Sequence, residues 1–139
     1  KILFTLKRLT IKRDSIIRNN IEFDEDFGAG AKYQMGEENI FLTQCLRKGL
    51  KIIYVPIKIA DLHMGESTWF RGYNDEYFFD KGAQFAALSK SLSIPYILQY
   101  IVRKYKLFRY NIDAVSATRL MISGRKDYLR RKNLGDSNE

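Results

Sequence analysis

Thirteen residues, from Asp24 to Gly36, hold three glycines and three acids. Glycine weakens helix and strand interiors alike, so this stretch reads as loop, and as a long one for a compact domain. Loops of that length are often functional or mobile. Ahead of it, residues 1–12 mix β-branched and large apolar side chains in partial alternation and read as extended chain or strand. Arg13 to Ile17 reads as one short helical turn with Asp14 or Ser15 as the cap, broken by Asn19-Asn20.

Beyond the loop the pattern turns helical. Glu38 to Lys48 begins with acids, where the macrodipole favours negative charge, and ends on Arg47 and Lys48 before Gly49, the expected C′ residue. Phe41, Leu42, Cys45 and Leu46 fall on one face. Lys51 to Val55 is a short apolar run closed by Pro56; it reads as a buried strand, with Ile57-Lys58-Ile59 as its continuation. Asp61 to Tyr73 is loop-like. Asn74 or Asp75 is the expected cap of a helix to about Ser89, with Phe78, Gly82, Phe85 and Ala86 on one face. A mid-helix glycine costs roughly 1 kcal/mol against alanine, and a close helix–helix or helix–loop contact would explain Gly82. A helix starting at Ser93-Ile94-Pro95 places Ile97, Leu98, Ile101, Val102 and Tyr105 at spacings of three and four. Asn111 is the expected cap of a last helix to about Arg130, with Val115, Leu120, Met121 and Tyr128 as buried positions.

The chain has 139 residues, 45% hydrophobic and 14% aromatic, enough for one packed domain and against wholesale disorder. The net charge of +8 is unevenly placed: residues 1–90 carry +2 and residues 91–139 carry +6. A basic C-terminal third invites an anionic neighbour such as lipid, nucleic acid or a phosphorylated substrate. The single cysteine, Cys45, excludes an internal disulfide and a cysteine-built zinc site, and fits a reducing compartment. The charge-free run from Ser91 to Val102 is twelve residues, too short for a bilayer-spanning helix of about 20. The first residues show no signal-peptide pattern, and Ile2-Leu3-Phe4 is already strand-like; the chain is expected to be a fragment of a longer one.

Four groups of residues offer chemistry. A carboxylate of Glu37-Glu38, at the start of a helix, can accept a proton from a nucleophile within hydrogen-bond reach; acids in a first turn also simply stabilise the helix by about 0.3–1 kcal/mol, which the local pattern alone favours. Asp24-Glu25-Asp26 suits oxygen ligation of a divalent cation, but Gly28 and Met35 do not complete an EF-hand, and a solvated acidic turn explains the run more simply. His63, the only histidine, is a metal or phosphate ligand or an ordinary structural residue. Trp69-Phe70-Arg71, Tyr77-Phe78-Phe79 and the Tyr96 to Tyr110 stretch interleave aromatics with cations, fit for bases, sugar rings or a lipid interface, though core packing accounts for most of them.

Four blocks occur in a fixed order: Ile21 to Gly30; Gly36-Glu37-Glu38-Asn39-Ile40-Phe41-Leu42; Gly49-Leu50-Lys51-Ile52 with Tyr54-Val55-Pro56; and His63 followed by Glu66-Ser67-Thr68. Together they make the stretch from about Thr10 to Ala83 resemble the C-terminal half of the catalytic domain of a family 2 glycosyltransferase of the GT-A fold, bacterial polysaccharide-building type. The resemblance implies an α/β fragment, mostly helical. Short strands from the C-terminal half of a Rossmann-like GT-A domain would precede amphipathic C-terminal helices. Residues 1–90 would be the acceptor side, residues 91–131 a basic amphipathic tail that resembles such enzymes only loosely, and residues 132–139 a frayed terminus.

By the same resemblance Glu37-Glu38 falls on the Glu-Asp motif that supplies the catalytic base, with Glu38 on the base. Glu replaces Asp there, which moves the carboxylate outward by about one bond, and the choice between Glu37 and Glu38 stays open. Asp24, Tyr33, Gly36 and Trp69 would line the acceptor site, Tyr33 and Trp69 as stacking faces. His63 falls where relatives place a histidine near the metal and the donor diphosphate. The implied reaction is inverting transfer from a nucleotide-sugar to a saccharide or lipid-linked acceptor, with a divalent cation (Mn or Mg) in the full-length enzyme and none expected in this fragment. Nothing in residues 1–20 resembles the nucleotide-binding first half with its DxD motif. The fragment is therefore expected to be inactive and to self-associate through the surface the missing half would cover. It is expected in the cytoplasm, peripheral on anionic lipid at the inner face of the plasma membrane, with no nucleic-acid partner. The rival readings are a non-enzymatic basic nucleic-acid-binding module and a protein-interaction module.

Overall fold

A computed structural model describes residues 3–6, 9–53, 56 and 72–135. The order of elements is β1 (Leu3–Leu6), β2 (Leu9–Lys12), α1 (Arg13–Arg18), α2 (Glu37–Arg47), α3 (Asp75–Leu88), α4 (Ser93–Phe108) and α5 (Ala114–Gly135). The protein is mostly helical. Among the described residues the only sheet is the antiparallel pair β1–β2, in the register Leu3↔Lys12 to Leu6↔Leu9. The chain forms two units that are interleaved in sequence. One comprises residues 1–24 and 37–67, the other residues 25–36 and 68–139. The division therefore differs from a cut near residue 90: loop 25–36 and α3 belong with the basic helices.

In the first unit, α1 follows β2 directly. Its N-cap is Lys12, without a side-chain cap bond, so neither Asp14 nor Ser15 caps it. Asn20 ends it at φ +48, in the left-handed region that Asn tolerates best after Gly. Helix α2 closes on a Schellman motif: Gly49 at φ +76 donates to the Leu46 carbonyl and Leu50 to the Cys45 carbonyl, both at 3.0 Å. Ile21, Phe41 and Cys45 form the core, with Ile11, Ile16 and Leu50 packed on it. The Phe23 ring stacks on Phe41 at 4.3 Å. Leu46, expected on the buried face, is exposed. Residues 51–53 correct a second expectation. They form no strand, and Ile52 and Ile53 are exposed. An apolar run becomes a strand only where a neighbour completes its ladder. Tyr54, Val55 and residues 57–59, the remainder of that expected strand, lie outside the described residues.

In the second unit α3, α4 and α5 pack around Phe78, Ile97, Ile101, Phe108, Ala117 and Met121. Asn74 caps α3, accepting from the Tyr77 amide at 2.9 Å. Asp113, not Asn111, opens α5: its Oδ1 accepts from the amides of Val115 (2.9 Å) and Ser116 (3.0 Å). Helix α5 runs to Gly135 and so includes residues 132–135; the rest of the expected frayed terminus lies outside the described residues. Helices α3 and α5 touch backbone to backbone. A Cβ on Gly82 would lie 2.6 Å from Met121 Cα, and one on Gly124 would lie 2.7 Å from the Phe79 carbonyl carbon. That contact explains the mid-helix Gly82. Along α5 the buried positions are Ala117, Met121, Gly124 and Tyr128, whereas Val115 is exposed. Along α4 the buried face is Ile97, Ile101 and Phe108, and Leu98, Val102 and Tyr105 point to solvent.

Candidate functional site

The loop 25–36 is held by its own aromatics and by ions. Phe27 and Tyr33 pair as an isolated bridge and bury their rings together, 4.8 Å apart, against Tyr128 at 5.5 and 6.1 Å. Tyr33 is 0% exposed and its hydroxyl donates to Asp127 at 2.7 Å. Burial, then the bond to the Asp127 carboxylate, pushes this phenol well above the usual range. Tyr33 therefore has no open ring for a sugar. Its expected stacking role is corrected to that of a loop anchor.

Asp26 is likewise a tether. Arg131 donates to it at 2.9 Å and Lys132 Nζ lies 3.3 Å away. Lys32 pairs with Asp127 at 3.2 Å. The acids of α5 and of the loop thus exchange partners across one seam, which the pattern of residues 24–26 alone did not reveal. The signal was Asp127 with Arg131, an i, i+4 pair on the same face as buried Tyr128.

The end of the loop rests on α3. The Gln34 amide donates to buried Asp80 at 2.9 Å and its side chain to Glu76 at 2.8 Å. Gly36 sits at φ +108, and a Cβ there would lie 2.7 Å from the Gln84 side chain. Two constraints therefore demand glycine at Gly36. Gln84 in turn accepts from Lys81 at 2.8 Å. Lys81 Nζ lies 5.6 Å from the Tyr77 ring centroid and 5.9 Å from that of Tyr100, whose hydroxyls share a 2.7 Å hydrogen bond. Burial pushes the Lys81 ammonium down and the Asp80 carboxyl up.

Glu37 and Glu38 follow at once and fill the first turn of α2 in the other unit. Glu37 is half-buried and Glu38 is exposed. Asp24, the last residue of the preceding segment of that unit, is half-buried. His63 and Trp69 lie outside the described residues. Among the described residues no group of three His, Cys, Asp or Glu side chains can hold a metal ion, and Asp26 is already engaged by two cations. The described residues thus provide no donor set for the cation that the resemblance implies. Among them, too, no helix is long and apolar enough to cross a membrane.

No protein-family model, curated protein or solved structure matches the chain.

Proposed function

We propose that this chain is the acceptor-side part of an inverting family 2 glycosyltransferase of the GT-A fold, acting on a saccharide or lipid-linked hydroxyl in the assembly of cell-surface polysaccharide. The resemblance of the four ordered blocks carries the reading, and the position of the Glu pair is compatible with it. Both carboxylates stand in the first turn of a helix with a firm C-terminal stop, and Glu38 is exposed. In this reading Glu38 takes the acceptor proton as the acceptor oxygen attacks the anomeric carbon. The bond to the donor's diphosphate breaks, the nucleoside diphosphate leaves with the electron pair, and the configuration at that carbon inverts. Donor binding is assigned to a nucleotide-binding half outside this chain, so the chain alone is inactive. On the resemblance Asp24 and Gly36 are each assigned to the acceptor side, whereas Tyr33 is a loop anchor.

The test is product analysis with the full-length protein. Incubation with nucleotide-sugars and saccharide acceptors releases nucleoside diphosphate only when an acceptor is present, and NMR of the product shows inverted anomeric configuration. Retained configuration, or no release from any nucleotide-sugar, contradicts the proposal.

A further inference from the structure

From the exposed face of α4 we infer a docking surface for an anionic lipid bilayer; the inference does not depend on the transferase reading. Ile94, Leu98, Val102 and Tyr105 recur at spacings of four, four and three, which places them within an arc of roughly 80° on the helix. Leu98 and Val102 are the most open, at 55% and 80%, and Ile94 and Tyr105 are partly covered, at 36% and 41%. The arc lies beside the face that Ile97, Ile101 and Phe108 bury in the helical core; Tyr105 touches the Phe108 ring at its edge, and Leu98 and Val102 are surplus to the packing of the unit. From Val102 to Leu107 six consecutive residues are exposed, so this end of the helix is open all round; of its three cations Lys106 flanks the stripe, and Arg103 and Lys104 lie on the other sides. Arg109 and Tyr110 continue the same composition just beyond. Among the described residues none of Arg103, Lys104 and Lys106 pairs with a carboxylate, and no acid occurs between Ser91 and Ile112.

Charge and side-chain type together select the occupant. A second copy would set cation against cation, which opposes pairing through this face. A nucleic acid would use the cations but gain nothing from Leu98 and Val102, which have no ring face for a base. A bilayer with anionic headgroups uses both: the aliphatic stripe enters the acyl boundary while the long Lys and Arg stems let their charges reach the phosphates.

Vesicle co-sedimentation of the chain tests this, with phosphatidylcholine vesicles and with vesicles containing about one-third phosphatidylglycerol, where each surface cation contributes about fivefold in affinity. Binding is expected to the anionic vesicles, weakened by salt. Val102→Glu and Leu98→Glu each lower it at least tenfold, and Lys106→Ala, whose position flanks the stripe, about fivefold. Both apolar positions are exposed, so the thermal midpoint of each variant stays at the wild-type value, and circular dichroism checks this. The inference is overturned by equal binding to neutral vesicles, by wild-type binding of Val102→Glu, or by no vesicle binding. It is overturned also if Val102→Glu abolishes binding to an oligonucleotide or to an acidic protein while vesicle binding is absent.

Discussion

Placing a methyl group on Gly82 sets two effects of opposite sign against each other. Alanine is the better helix former by about 1 kcal/mol, so propensity alone makes Gly82→Ala stabilising. The new carbon, however, would lie 2.6 Å from Met121 Cα and nearer still to the Met121 carbonyl oxygen. Non-bonded carbons rest at about 3.5–4.0 Å, and the obstacle is backbone, which cannot rotate away. Helices α3 and α5 must part by about 1 Å. That gap forfeits about a quarter to a half of the dispersion energy along their seam, and overpacking of this kind costs about 1–3 kcal/mol. With the obstacle fixed the upper end applies, so the net expectation is a loss of about 2 kcal/mol, on the order of 10 °C in thermal midpoint for a unit of this size. Gly124 meets Phe79 at the same crossing, so a helix pair already spread by one methyl accommodates the second more easily. Gly82→Ala with Gly124→Ala should therefore cost less than the two singles together. Thermal unfolding by circular dichroism measures all three variants. A midpoint for Gly82→Ala at or above that of the wild type would refute the close crossing.

Acid should loosen the seam between loop 25–36 and α5. Burial raises the Asp26 carboxyl, but its hydrogen bonds to Arg131 and Lys132 outweigh this and hold it below the usual range; Asp127 is held down against burial by Tyr33 and Lys32. Groups with depressed folded pKa values stabilise above about pH 4 and lose that contribution as pH falls further, because the unfolded chain then binds more protons. Asp80, raised by burial, works in the opposite direction. The readout is therefore the difference between wild type and Arg131→Gln, which leaves Asp80 untouched: urea melts between about pH 5 and 2.5 should show a shallower loss in the variant, and identical slopes would count against the tether. Removing the cap with Asn74→Ala should cost about 1 kcal/mol by the same melts at neutral pH, and an unchanged midpoint would deny that cap a role.

The sequence was most legible where one residue type has one physical use. Gly49 at the end of α2 was assigned from chemistry alone, the cap of α3 was narrowed to Asn74 or Asp75, and the contact behind Gly82 followed from its cost. Legibility failed where period does not fix phase. Helix α4 carries two adjacent apolar arcs, and spacing by itself could not tell the buried Ile97–Ile101–Phe108 arc from the exposed Leu98 and Val102. Residues 51–53 looked like strand because strand character is a property of a pair, which one segment does not show. Tyr33 lies in an aperiodic glycine loop, so nothing local marked it as core, and its partner Asp127 is 94 residues away. The Glu pair was legible as a helix start; the catalytic role proposed for it rests on the resemblance of the surrounding blocks.

That role is open to one direct measurement: the turnover number of the full-length protein carrying Glu38→Gln, with Glu37→Gln as its comparison. A base contributes about 10²–10⁴-fold, so Glu38→Gln should lower kcat by at least a hundredfold with little change in KM, while Glu37→Gln retains most of its rate. Wild-type turnover in the Glu38→Gln protein would contradict the account.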